Sequence, residues 1–157
     1  MASTSIEFAG YVSGNTDFGT AYADPANSGS HDLLDAAVAV VVDTLNAGEN
    51  PEYYVAIAVV GFSDRVDTAG VGCDERRSKE AEASLSRASS AWEWVKATVS
   101  SKLAAPIDQW WDTSNSVSWM MVPTGAAVLV HDPPASDAEC AANRRVKVVF
   151  DFFGPVG

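Results

Sequence analysis

The chain has 157 residues, with ten Lys and Arg against 21 Asp and Glu, and a net charge of −11 with its two His neutral. Apolar residues make up 47% and charged residues 20%, enough apolar material to exclude a wholly disordered acidic tail. The acidic balance excludes nucleic acid as the main partner, because phosphate binding needs clustered Lys and Arg. The longest apolar runs, Tyr53–Gly61 and Trp119–Val130, fall short of the ~20 residues of a membrane-spanning helix, so membrane insertion is not expected.

Met1 to Phe8 has neither a basic region nor an apolar stretch, so no secretory leader is read there and synthesis in the cytoplasm is expected. Ile6-Glu7-Phe8 alternates as a short strand does. The polar, glycine-rich stretch from Gly10 to Ser30 reads as a long loop. Ser30 then caps a helix whose apolar face is Leu33, Leu34, Ala37, Val38, Val41, Val42 and Leu45, and Gly48 stops it. Tyr53–Gly61 is β-branched and aromatic almost throughout, the pattern of a central strand buried on both faces.

Residues 62 to 78 read as a charged loop, followed by a second helix over 79 to 100 with a stripe of Leu85, Ala88, Trp92, Val95 and Val99. Ser116–Val122 and Ala126–Val130 are strand segments about the Pro123-Thr124-Gly125 turn, and Arg144–Phe153 is the last strand. The order β-α-β-α-β-β implies an α/β sandwich of two layers.

Four groups of residues are candidates for chemistry. Asp64, Asp67, Asp74 and Glu75 lie after the buried strand, where loops usually carry ligand groups, although their spacing does not fit a calcium loop. Arg87 offers a planar fork for a carboxylate, or a surface ion pair with Glu80 or Glu82. Arg144 and Arg145 open a strand and so point to opposite faces, one toward the Asp64 loop and one toward solvent or a carboxylate. His31-Asp32 and His131-Asp132 are too few for a metal-dependent hydrolase, and nucleophile elbows and phosphate-binding glycine motifs are absent.

Cys73 and Cys140 form no CxxC pair; one disulfide and two reduced thiols both fit, and a bridge would add about 4 kcal/mol by chain entropy. Trp92 falls in helical register for the core, whereas Trp110-Trp111 reads as an interface.

In order and placement, Gly61-Phe62-Ser63-Asp64, Ala83-Ser84-Leu85-Ser86-Arg87-Ala88 and Asn143-Arg144-Arg145-Val146 resemble the three motifs of the OmpA-like peptidoglycan-binding domain, the C-terminal domain of the outer-membrane protein A family. The likeness runs from about Ile6 to Phe153. It implies a single α+β domain over residues 1–157, with a mixed sheet and helices on one face. It also implies a non-catalytic module, without cofactor or metal, that binds the diaminopimelate of the peptidoglycan stem peptide. Asp64 would accept from the ligand's ammonium, Arg87 would hold its carboxylate, and Asn143 and Arg144 would line or brace the pocket.

Against the family pattern, Phe62-Ser63 replaces His-Thr, Glu80 stands where Asn is usual, Ala83 replaces Leu, and the loop over about 65–78 is longer. A Cys73–Cys140 bridge would pin that loop beside the last strand. Without a leader, such a domain is expected to reach the cell wall as a subunit of a phage tail or contractile injection particle, extracellular or in a virion, docking other subunits through Trp110, Trp111 and the 10–30 segment. The alternative is an assembly subunit that keeps the scaffold and has lost peptidoglycan binding.

Overall fold

The computed structural model describes residues 2–65 and 72–154. Four strands form one mixed sheet in the order β1-β4-β2-β3: β1 (Ala2–Phe8), β2 (Tyr54–Gly61), β3 (Val117–Pro123) and β4 (Val146–Phe153). β4 runs antiparallel to β1 and β2 on either side, and β2 pairs in parallel with β3. Two long helices, α2 (Ser28–Asn46) and α3 (Cys73–Lys102), pack on one face, giving the two-layer α+β arrangement expected.

The other face stays open, which corrects the reading of β2 as buried on both sides. Val55, Ile57 and Val59 are buried beneath the helices, whereas Ala56, Ala58 and Val60 are only half-buried and Tyr54 is exposed. Small alanines on the open face made the run look uniformly apolar. β1 extends back to Ala2 because its backbone pairs residue by residue with β4, from Ala2↔Phe152 to Phe8↔Val146, past the point where its side chains alternate.

The stretch from Gly10 to Ser30 is not one loop. It holds helix α1 (Phe18–Ala23), a 3-10 turn over Pro25–Asn27 and the start of α2. Asp17 caps α1 by accepting from Thr20 N at 2.8 Å. Phe18 then seats edge-on against Phe8, with centroids 4.9 Å apart. One helical turn and a half is too short for periodicity to reveal.

Helix α3 begins at Cys73, not Lys79, so most of the expected 65–78 loop is helix or lies outside the described residues. Its buried stripe runs Glu80, Ser84, Arg87, Ala88, Ala91, Trp92, Val95 and Val99, and its first three members are polar, which hides the helix start from a hydropathy pattern. Leu85 and, on α2, Leu33 face out. Two short helices lie outside the elements expected from the sequence: α4 (Trp110–Thr113) and α5 (Asp137–Asn143). The expected strand over Ala126–Val130 is absent, and those residues form turns and bends.

Gly61 fixes how α3 crosses the sheet. A Cβ there would lie 1.8 Å from the carbonyl oxygen of Ser84, so the helix backbone rests directly on the end of β2. That contact sets Arg87, one turn later, over the residues that follow β2. Farther along, Trp92 stacks on Trp119 at 4.7 Å and meets Trp110 edge-on at 5.9 Å. Trp110 is fully buried and donates from Nε1 to Ser100 Oγ at 3.0 Å. It is core, not a docking residue; Trp111 is partly buried beneath the Lys96 ammonium, 4.7 Å from its ring centroid.

Candidate functional site

β2 ends at Gly61, and Phe62, Ser63 and Asp64 carry the chain over the end of the sheet. Phe62 N donates to Arg145 O at 2.9 Å and Ser63 N to Gly125 O at 2.8 Å, so the segment is held between β4 and the turn after β3. This backbone anchoring aims Asp64 toward the start of β4.

Asp64 is 9% exposed. Its Oδ1 accepts from Asn143 Nδ2 at 3.0 Å, and its Oδ2 lies 3.7 Å from Arg144 Nη1. Interaction with the same carboxylate, with smaller parts from burial and its negative charge, raises the pKa of the Cys140 thiol. Asn143 has no exposed surface and uses its whole amide: it also donates to His131 O at 2.9 Å and accepts from Val130 N at 2.8 Å and His131 N at 3.0 Å. Arg144 donates from Nε to the carbonyl of Tyr11 at 2.6 Å, tying the segment after β1 to the site.

Arg87 comes from α3 and is 2% exposed. Its Nη1 donates to Phe62 O at 3.0 Å, two residues before Asp64, and its Nε is buried without a hydrogen-bond partner among the described residues. The Tyr11 ring lies over the guanidinium, 5.3 Å from centroid to Cζ. Burial lowers the Arg87 pKa; the neighbouring Tyr11 and Asp64 raise it, and Arg144 lowers it further. Tyr11 is itself buried, its hydroxyl has no hydrogen-bond partner among the described residues, and its pKa is pushed well above the ordinary tyrosine value, chiefly by desolvation. Gly10 and Gly14, at φ 87° and 75°, shape the turn that lays Tyr11 there.

Asp64, Arg87, Asn143 and Arg144, singled out from separate motifs, therefore meet at one end of the sheet. The two arginines also diverge as the strand reading expects, although both precede β4. Arg144 turns to Asp64, while Arg145 stacks on Phe62 with Cζ 4.0 Å from the ring centroid and places Nε 3.4 Å from Glu7 Oε2.

Of the remaining candidates, His131 touches this cluster through its backbone bonds to Asn143, whereas Asp74, Glu75, Glu80 and His31 stand apart. Asp74 and Glu75 occupy the exposed first turn of α3, where Glu75 pairs with Lys79 at 3.0 Å; Asp67 lies outside the described residues. Glu80 is buried, 3.9 Å from Arg76 Nε. His31 stacks on Tyr22 at 4.3 Å, and no group of metal-ligating side chains occurs among the described residues.

The expected Cys73–Cys140 bridge is not formed, and both cysteines are free. Cys73 opens α3 on the surface, whereas Cys140 sits in α5 with its thiol turned to Asp64. Tyr11 is the site residue the motifs do not mark; its one signal is an aromatic side chain inside an otherwise polar, glycine-rich stretch.

No family model matches the chain, and no curated protein matches it. Among solved structures it is similar to the periplasmic domain of Helicobacter pylori MotB (residues 97–256), at 17% identity over 95% of this chain and 82% of that one, with a TM-score of 0.45. It is also similar to the cell wall anchor of the T6SS from Pseudomonas aeruginosa, at 15% identity over 98% of this chain and 82% of that one, with a TM-score of 0.43. No helix among the described residues is long and apolar enough to cross a membrane.

Proposed function

We propose that this chain is a non-catalytic module that binds bacterial peptidoglycan through the zwitterionic end of diaminopimelate in the stem peptide. Asp64 receives the ligand's ammonium and Arg87 its carboxylate, with Asn143 holding Asp64 in place and Arg144 bracing the mouth of the site. The observation that carries this reading is the juxtaposition of a braced carboxylate with a buried guanidinium whose Nε has no partner. A zwitterion needs one group of each sign, and a bidentate carboxylate would occupy the free edge of the guanidinium. The sequence motifs that supply these four residues support the same reading. Tyr11 covers Arg87, so binding requires its ring to swing aside.

That same cover favours a second reading, an assembly subunit in which the site is permanently filled by Tyr11. Calorimetric titration with meso-diaminopimelate separates the two. Heat in the wild type that is lost in Asp64→Asn and Arg87→Lys, with both variants shown to be folded by circular dichroism, supports the binding module. An absence of heat in the folded wild type supports the assembly subunit.

A further inference from the structure

All six arginines of this acidic chain gather at the end of the sheet where β2 finishes, whereas its four lysines are spread along α3 and β4. Two of the six, Arg87 and Arg144, belong to the cluster just described, and Arg145 lies beside it against Phe62 at the start of β4. The other three, Arg65, Arg76 and Arg77, line a separate open cleft of about 510 Å³ on the β3 side, beside Thr124 and Gly125. The strand registers give this division: Gly61 pairs with Val146 of β4 on one side and with Pro123 of β3 on the other.

The charges in the cleft do not cancel. Arg65 is paired with Asp132 at 2.8 Å, and Arg76 lies 3.9 Å from Glu80. Arg77 is exposed and forms no ion pair among the described residues. The three guanidiniums outnumber the two carboxylates that pair with them, Glu80 and Asp132, so among the described residues the cleft keeps a net positive charge, carried by Arg77, on a protein of net charge −11. A concave, positively lined surface on an otherwise negative molecule concentrates anions. Guanidinium forks suit planar carboxylates better than ammonium groups do.

We infer that this cleft is an anion subsite for a free carboxylate of the stem peptide, next to the diaminopimelate site. This rests on the proposed function above. Arg65 follows Asp64 directly, so a peptide that places its zwitterion at Asp64 runs past Arg65 toward the cleft. The residues flanking diaminopimelate in a stem tetrapeptide, the isoglutamate before it and the terminal D-alanine after it, each carry a free carboxylate. Arg76 and Arg77 would grip one of these, and the cleft would thereby distinguish a stem peptide from free diaminopimelate.

The test uses calorimetric titration of the whole chain and of an Arg76→Ala, Arg77→Ala double variant. The probes are free meso-diaminopimelate, the tetrapeptide L-Ala-γ-D-Glu-meso-diaminopimelate-D-Ala, and the same tetrapeptide with both flanking carboxylates amidated. The expected result is a roughly tenfold or greater loss of tetrapeptide affinity in the double variant, with unchanged affinity for free diaminopimelate. Amidation should cost the wild type the same loss. Tetrapeptide affinity unmoved by both changes would overturn the subsite. Tetrapeptide binding that depends on Arg76 and Arg77, with no binding of free diaminopimelate, would keep the subsite and overturn the zwitterion reading. If neither ligand binds, both fail.

Discussion

Asn143 donates from Nδ2 to Asp64 Oδ1 at 3.0 Å, joining two side chains 79 residues apart. The same amide closes three further bonds to the backbone of Val130 and His131, so one buried residue binds the end of β2, the loop after β3 and the start of β4 together. Replacing it leaves several buried groups unpaired at once. Asn143→Ala is expected to lose about 2–4 kcal/mol, read as a lowered urea midpoint with an unchanged slope.

Gly61 is the second position with no tolerance. Its missing side chain is what lets Ser84's carbonyl approach, and a methyl group 1.8 Å from that oxygen must push α3 off β2. The Cβ position is fixed by the Gly61 backbone and the oxygen belongs to the helix backbone, so neither can turn away. Gly61→Ala should cost about 3 kcal/mol or more and disorder the Arg87 side chain with it. Thermal unfolding followed by circular dichroism measures the first effect, and calorimetry with meso-diaminopimelate the second.

Tyr11 gives a pH signature. Its hydroxyl is buried and unpartnered, and its folded-state pKa lies well above the ordinary value of 10.0. Below that ordinary value the phenol is neutral in both folded and unfolded chains, and its contribution to stability is complete. As pH rises past about 10 the unfolded chain ionises while the folded chain holds the proton, so stability falls. Tyr11→Phe should remove this part of the alkaline loss and, by deleting an unsatisfied buried hydroxyl, gain about 1 kcal/mol at neutral pH. Urea midpoints at neutral pH and above pH 10 check both statements.

The cysteines separate by rate. Cys73 is exposed at the start of α3, while the Cys140 thiol is less exposed and has its pKa raised by the neighbouring Asp64. Thiol titration of the native protein should therefore count two free groups, one fast and one slow, because only the thiolate reacts. Reductant should leave the melting temperature unchanged.

Much of the site was legible in the sequence because its residues sit at fixed places relative to strong elements. Asp64 follows the most apolar strand, Arg87 falls on a helix stripe that includes Trp92, and Asn143-Arg144 precede the last strand. The illegible parts have two physical causes. Short helices such as α1, α4 and α5 hold too few turns to show a period, and the polar first part of the α3 stripe, Glu80, Ser84 and Arg87, imitates a loop to any hydropathy pattern. Tyr11 was hidden for a further reason: it meets Arg87 only through the fold, and nothing local marks it. Whether Cys73 and Cys140 pair depends on their distance in space, which spacing along the chain does not carry.

The most direct measurement compares two stem tetrapeptides that differ only at the third residue, meso-diaminopimelate in one and L-lysine in the other. Lysine keeps the ammonium but lacks the carboxylate assigned to Arg87. The account predicts that the diaminopimelate peptide binds and that the lysine peptide binds at least about tenfold more weakly, a difference of about 1.4 kcal/mol. Equal affinity for the two peptides would contradict it, because Arg87 would then have no part in recognition.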